Sequence, residues 1–200
     1  MRGRTLRKRR PNEEKRKQIL EAAKDAFSRN GFHRTDVGEI ADMAGLGKGT
    51  VYRYFGSKRG LFSSLVDWGL SLLREEISQK IKQAKKDPAE ALKAAIKAYI
   101  SFFERNMEFY WVLIQEVGGY REDDRVKRRY FPNLDILEEL LQFGIEKGIF
   151  KPVDVRSSAV ALLGIANSLI YQGIISGNGY SVHRKLPAVI DIFIKGIIKN

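Results

Sequence analysis

The chain has 200 residues, enough for one or two domains with a buried core, and its 44% hydrophobic and 10% aromatic content is typical of a folded protein. It has no cysteine, which excludes disulfide bonds and cysteine-ligated zinc. Much of the net charge of +12 lies near the N-terminus: residues 1–60 hold 16 Lys and Arg against 7 Asp and Glu, whereas the other 140 hold 20 against 17. This asymmetry favours a polyanionic partner for the basic end, although a generally basic, solubilising surface would carry the same charge.

No targeting or membrane segment is expected. The basic N-terminus is not followed by an apolar core, so it does not resemble a secretory signal. The longest apolar stretch, residues 155–176, is interrupted by Arg156, Asn167 and Gln172, so no uninterrupted run approaches the roughly 18 residues of a membrane span. These features predict a cytoplasmic protein that does not bind membranes.

The first elements are a basic arm and three short helices. Six of the first ten residues are Lys or Arg, so residues 1–11 are predicted to be a disordered arm that orders on a polyanion or stays a solvated tail. Apolar residues at helical spacing then predict a first helix that ends at Asn30-Gly31. Asp36 and Glu39 form a capping box that begins a second helix, Gly45 ends it, and a third helix covers residues 48–55.

Longer helices follow to the end of the chain. Ser57 is predicted to cap a fourth helix over residues 58–85, and Asp87-Pro88-Ala89-Glu90 is a strong start for the next. Further helices are predicted at 88–105, 107–117, 124–147, 154–176 and 181–199. No alternating strand pattern is found. The predicted fold class is therefore all-α, with about nine helices.

Residues 40–46 have the pattern of a helix-turn-helix. Ala41 is small where two helices cross, Gly45 permits a positive φ in the turn, and Leu46 returns to the core. The next helix is predicted to present residues able to contact base edges or phosphates: Lys48, Gly49, Thr50, Tyr52, Arg53 and Tyr54. Ser57 and Lys58, at the start of the fourth helix, are suited to a phosphate. Singly, each would be a solvated surface residue; together on one face they predict a DNA-binding surface.

Residues 31–61, GFHRTDVGEIADMAGLGKGTVYRYFGSKRGL, resemble the DNA-binding signature of the TetR family of bacterial repressors. The resemblance implies a helix-turn-helix domain at 12–56, a ligand-binding and dimerisation domain at 57–200, and Thr35 as a further DNA-binding residue. This sequence departs from the family pattern at three places. Gly47 replaces a hydroxyl cap, and Gly38 replaces a side chain that contacts DNA or its phosphates in many relatives. Arg59-Gly60 replaces a more common acidic residue and its neighbour, which adds positive charge near the DNA.

The resemblance also places a small-molecule cavity in the body, between the fourth helix and the last helices. The candidate lining residues are mostly aromatic or aliphatic: Tyr99, Phe102, Phe103, Phe109, Tyr110, Leu113, Ile114, Leu137, Leu141, Asn167 and Tyr171. An aromatic set at helical spacing is more often core packing. An apolar cavity with few polar groups indicates a hydrophobic or amphipathic effector, such as a fatty acyl compound or a drug.

The predicted function is a ligand-responsive transcriptional regulator, a repressor that binds a palindromic operator in double-stranded DNA. The last two helices are apolar on more than one side, which favours a homodimer through them, as the resemblance also implies. Activation rather than repression is left open, and the alternative is a non-specific nucleic-acid packing protein without an effector. No enzyme activity, cofactor or metal is expected: Gly49 breaks the phosphate-loop pattern after Lys48, and His33 and His183 lack ligand spacing.

Overall fold

The computed structural model describes residues 11–84, 87–119, 133–176 and 182–199 of the chain. These residues form nine helices: α1 (Pro11–Arg34), α2 (Val37–Met43), α3 (Lys48–Phe55), α4 (Lys58–Gln83), α5 (Pro88–Arg105), α6 (Met107–Gly119), α7 (Leu134–Glu146), α8 (Val155–Ser176) and α9 (Val182–Ile197). Over the described ranges the only β-type pairing is an isolated bridge between Phe150 and Ile198. The predicted all-α class is confirmed.

Local signals placed the helix ends well. Gly31 has a φ of 75° and interrupts α1 at the predicted stop, although helical turns resume to Arg34. Asp36 caps α2 by accepting from the Gly38 N–H, and Asp87 caps α5 by accepting from the N–H groups of Ala89 and Glu90. Residue 11, assigned to the basic arm, already belongs to α1. The rest of the predicted arm, residues 1–10, and the first part of the helix predicted at 124–147 lie outside the described residues.

The chain forms two compact units. The first contains Met1–Gly69 and Glu108–Arg121, and the second contains Leu70–Met107 and Glu122–Asn200. The first unit therefore includes the predicted helix-turn-helix domain, the start of α4 and most of α6.

The core of the first unit is built by the predicted helix faces. Ile19 and Phe27 of α1, Ile40 of α2 and Leu65 of α4 are completely buried. The ring of Phe62 packs edge-on against Phe27, with centroids 5.0 Å apart. Burial of each large side chain of this kind is worth about 1.5–3 kcal/mol, so this core holds the three short helices together.

A close contact joins α4 to α6 within the same unit. A Cβ built at Gly69 would lie 2.1 Å from Cζ of Phe109, a ring that is itself buried. The two helices can approach this closely only because position 69 has no side chain.

The second unit is a bundle in which α5, α7 and α9 pack against α8. Its core is made by aliphatic and aromatic side chains from all four helices: Leu92, Ile96, Ile100, Phe103, Leu137, Leu141, Leu162, Ala166, Ile170, Leu186, Ile190 and Ile194. Among the described residues, interhelical ion pairs join exposed arginines to half-buried acidic residues: Arg74 with Asp135, Arg105 with Glu76, and Arg156 with Glu138. Exposed pairs contribute little stability, about 0–1 kcal/mol each, so the apolar core dominates.

Helix α8 departs from one expectation. By length and composition alone, Val155–Ser176 is long and apolar enough to cross a membrane, despite the three polar residues that were expected to exclude this. A core helix of a bundle meets the same criteria, and one face of α8 is buried through Ala159, Leu162, Ala166 and Ile170. Its apolar character is therefore accounted for in part by packing inside the second unit.

Candidate nucleic-acid interface

The turn between α2 and α3 is built by its glycine. Gly45 has a φ of 64°, as predicted, and its N–H donates to the carbonyl of Asp42 at 3.0 Å. The N–H of Leu46 donates to the carbonyl of Ala41 at 2.9 Å, which turns the chain into α3. Gly47 begins α3 without a side-chain cap, in agreement with the missing hydroxyl.

Helix α3 has a buried side and an outer face. Val51 and Phe55 are buried against the rest of the first unit. Lys48, Gly49, Tyr52 and Arg53 are exposed, and Thr50 and Tyr54 are half-buried. We refer to these six residues as the α3 outer face. They lie together on one short helix, which is the arrangement that a major groove can accept.

Arg53 is the least restrained cation of this face. It is exposed, and no hydrogen bond or ion pair joins it to the residues that the structure describes. Its guanidinium can therefore turn toward a guanine edge or a phosphate without breaking an existing contact.

Lys48, by contrast, is paired. Its ammonium donates to Oδ1 and Oδ2 of Asp36 at 3.3 and 3.5 Å. The Gly38 N–H and the Lys48 ammonium together hold the pKa of Asp36 below its usual value, so this carboxyl is ionised at neutral pH. Asp36 was expected only as a helix cap, because nothing local in the sequence joins it to a residue twelve positions away.

Tyr54 is tied to the beginning of α1. Its hydroxyl donates to the side-chain oxygen of Asn12, and the guanidinium of Arg16 lies 5.4 Å from the centroid of the Phe55 ring. These contacts bring the first turns of α1 beside the end of α3. Neither Asn12 nor Arg16 was predicted to contact α3, and both stand more than 35 positions before their partners.

Ser57 and Lys58 lie at the start of α4. The Ser57 hydroxyl accepts from the Gly60 N–H at 3.0 Å, which confirms it as the cap of this helix. The Lys58 ammonium donates to the carbonyl of His33 at 3.0 Å and lies 5.0 Å from the Phe32 ring. Lys58 is thus half-buried, and its charge is held close to the end of α1.

Thr35, which the resemblance implied as a DNA-binding residue, is only 2% exposed. Its hydroxyl donates to the carbonyl of Gly31 at 2.7 Å or to that of Ala26 at 3.3 Å. The side chain therefore serves the end of α1 and is not presented on the surface beside the α3 outer face.

The predicted ligand-binding residues are divided between the two units. Seven belong to the second: Tyr99, Phe102, Phe103, Leu137, Leu141, Asn167 and Tyr171. Four belong to the first: Phe109, Tyr110, Leu113 and Ile114. In the second unit the Tyr99 hydroxyl donates to Oδ1 of Asn167 at 3.0 Å, whereas Tyr171 is 51% exposed. A polar pair thus joins α5 to α8 among apolar neighbours.

The three-helix head and the α3 outer face define a helix-turn-helix protein of the DNA-binding class. Within the described ranges, no cluster of three or more His, Asp or Glu could hold a metal ion. Residues 19–65 match the family model described as "Bacterial regulatory proteins, tetR family", and residues 85–171 match "Tetracyclin repressor-like, C-terminal domain". The chain belongs to the TetR family and is a ligand-responsive transcriptional regulator.

Several similar proteins are named as regulators, and they match this chain over nearly their whole length. The fatty acid metabolism regulator protein of Bacillus subtilis (strain 168) is 25% identical over 183 residues, which cover 90% of this chain and 94% of that protein. The fatty acid degradation regulator FadR from Bacillus halodurans has a TM-score of 0.81 at 23% identity and covers 94% of this chain and 97% of that one. The transcriptional regulator FadR from Bacillus subtilis, solved with stearoyl-CoA, has a TM-score of 0.78 at 24% identity and covers 90% and 98%. The two structures share the fold of this chain.

Proposed function

We propose that this chain is a repressor that binds a palindromic operator as a homodimer and is released by a long-chain acyl effector. The observation that carries the DNA-binding half is the α3 outer face, where an exposed Arg53 and a paired Lys48 lie on the helix that follows the turn. Thr50, Tyr52, Tyr54, Ser57 and Lys58 extend the set of proposed contacts; Thr35 contributes through the packing of α1.

The charge distribution supports the same surface. Residues 1–60 carry a net charge of +9, and the six cations of residues 2–10 precede α1, whose first turns lie beside the end of α3. Cations in this position would release counterions from DNA, so affinity should fall steeply with salt. A non-specific packing protein would share the salt dependence, but it would have no use for a large apolar body.

The dimer is proposed from exposed apolar side chains on α8 and α9. Ile175 of α8 is 68% exposed and Ile192 of α9 is 75% exposed, and Val160, near the other end of α8, is 43% exposed. No atom of the described residues lies within 4 Å of the position that a Cβ at Gly164 would take, so a partner helix has room to approach that position closely. A dimer formed here would carry two recognition helices, and a palindrome requires their spacing to be about 34–36 Å.

The acyl effector is proposed from two lines of support. The described part of the body has a largely apolar, aromatic-rich interior that includes the polar pair Tyr99 and Asn167, which suits an apolar chain with a polar group. Two similar proteins are named as fatty acid regulators, and one similar structure holds stearoyl-CoA. Release follows if the effector binds better to a conformer whose recognition helices no longer match the operator.

A titration of the protein–DNA complex tests the proposal. The DNA is the region upstream of the chain's own coding sequence, and the ligand series is stearoyl-CoA, lauroyl-CoA, free stearate and CoA alone. We expect preference for this DNA over random duplexes and release by a long-chain acyl-CoA but not by CoA. Equal affinity for random DNA would reject the proposed operator at this site, while specific binding without release by any member would reject the acyl effector alone.

Under the same proposal the protein is not an enzyme, and it acts in the cytoplasm, where its DNA partner lies. An enzyme would need a nucleophile, an acid–base pair or a metal at the proposed cavity, whereas the Tyr99 hydroxyl there donates to Asn167.

A further inference from the structure

The side chain of Lys48 crosses the surface of α2 to reach its partner. A Cβ at Gly38 would lie 3.8 Å from Cδ of Lys48 and 2.6 Å from Oδ1 of Asp36. Any larger residue at position 38 would crowd this path. The absence of a side chain at Gly38, a departure from the family pattern, therefore leaves room for the pair between Lys48 and Asp36.

This pair does little for stability. The side chains of Lys48 and Asp36 are 50% and 69% exposed, and water screens the attraction within exposed pairs of this kind. Its effect is on freedom of movement, because a lysine side chain loses rotamer entropy when it is held in one place. When the held position of the ammonium is also the one that contacts DNA, Lys48 loses part of this rotamer entropy before it binds DNA.

The ammonium keeps donor capacity while it is paired. It has three N–H donors, and its two recorded contacts go to the oxygens of a single carboxylate. At least one donor can still face a phosphate. A carboxylate also repels DNA, so Asp36 has two opposing effects whose balance can be measured.

We propose that Asp36 is a positioning residue that holds Lys48 over Gly38 for contact with a DNA phosphate. The inference rests on the proposed DNA-binding function. It assigns Lys48 to the backbone of the duplex and leaves the reading of base edges to the rest of the α3 outer face. In this arrangement the gain from positioning exceeds the repulsion between Asp36 and DNA.

The test is Asp36→Asn, because the loss of a negative charge and the loss of positioning change the affinity for DNA in opposite directions. Asparagine caps a helix as well as aspartate does, so α2 is retained. Loss of a negative charge near DNA should tighten binding, whereas loss of positioning should weaken it about two- to tenfold, the range for ordering one flexible side chain on binding. Affinity is measured by fluorescence anisotropy on a duplex that the wild-type protein selects from random-sequence DNA.

Lys48→Ala supplies the matched background. There, Asp36 has nothing to position, and D36N should tighten binding or leave it unchanged. K48A itself should reduce the slope of log affinity against log salt by about 1 without changing the selected sequence. Tighter binding of D36N in the wild-type background would overturn the inference. Failure of the wild-type protein to select any sequence would instead reject the proposed function.

Discussion

At the scale of single residues, the side chains of the α3 outer face differ in whether hydrogen bonds to other helices restrict their movement. Lys48 and Tyr54 have partners on α2 and α1, whereas Arg53 has none among the described residues. A free guanidinium on a recognition helix is suited to bidentate contact with guanine, which discriminates against a wrong base by about 1–3 kcal/mol. Sequence specificity should therefore depend on Arg53 more than on its paired neighbours.

Arg53→Ala should weaken operator binding about 5- to 100-fold and relax the preference at one base pair in each half-site. Arg53→Lys keeps the charge but loses the planar fork, so it should relax the preference with a smaller loss of affinity. Affinities for single-base operator variants measure both effects. Arg184→Ala, at an exposed position of α9, is the control. If R53K retained the wild-type base preference, Arg53 would be a phosphate contact instead.

Thr35 should act through stability. Thr35→Val removes the hydroxyl while keeping the shape and leaves the Gly31 carbonyl with the longer bond from the Thr35 N–H, so the free energy of unfolding should fall by about 0.5–1.5 kcal/mol. Urea denaturation measures this fall, and Thr35→Ser, which keeps the hydroxyl, should lose less. Operator affinity of folded T35V should stay within about twofold of wild type. Unchanged stability with weakened DNA binding would show that the hydroxyl reaches DNA after all.

At the scale of elements, glycines set how closely helices approach one another. Gly69 of α4 accepts the ring of Phe109 from α6, and Gly144 of α7 accepts the ring of Phe150 in the same way. Both rings are buried and cannot move aside without disturbing their neighbours. A methyl group at Gly69 would therefore strain the contact between α4 and α6, and one at Gly144 would strain the packing of α7 against the segment that follows it.

Gly69→Ala tests this packing. Alanine gains about 1 kcal/mol of helix propensity, but overpacking against Phe109 costs about 1–3 kcal/mol, so a net loss of stability is expected. In a Phe109→Ala background the ring is gone, and the same substitution should become neutral or stabilising. Thermal denaturation of the four proteins of this double-mutant cycle measures the change of sign. Additive effects would mean that Gly69 and Phe109 do not limit the approach of α4 and α6.

At the scale of the whole molecule, the distribution of apolar surface matters most. The second unit buries one side of α8 and α9 yet leaves Ile175 and Ile192 largely exposed. Scattered exposed aliphatic residues are ordinary, but two of this size on neighbouring terminal helices suit a second copy of the chain.

Ile192→Asp should halve the sedimenting mass at micromolar concentration, because a buried, unpaired carboxylate in the interface is costly. Operator affinity should fall with dimerisation, since a monomer contacts only one half-site. Analytical ultracentrifugation and anisotropy measure the two effects. Lys97→Asp places the same charge on an exposed position of α5 and should leave the dimer intact. A dimeric I192D protein would remove α9 from the proposed interface.

Local patterns in the sequence predicted most of the fold. The spacing of Ile19, Phe27 and Ile40 marked buried faces, Asp36, Ser57 and Asp87 marked helix starts, and positive φ at Gly31 and Gly45 followed from the need to end helices there. These features depend on neighbours within about four residues, which is why they can be read from the chain alone.

The tertiary structure decided the state of the side chains that were predicted to bind DNA. Thr35 is withdrawn into the core, Lys48 is held by Asp36, and Tyr54 is held by Asn12, whereas Arg53 is left exposed. In the sequence these four residues are equally plausible contacts. Lys48 and Tyr54 have partners 12 and 42 positions away, and Thr35 is covered only when the helices pack, so no local pattern could separate the four residues.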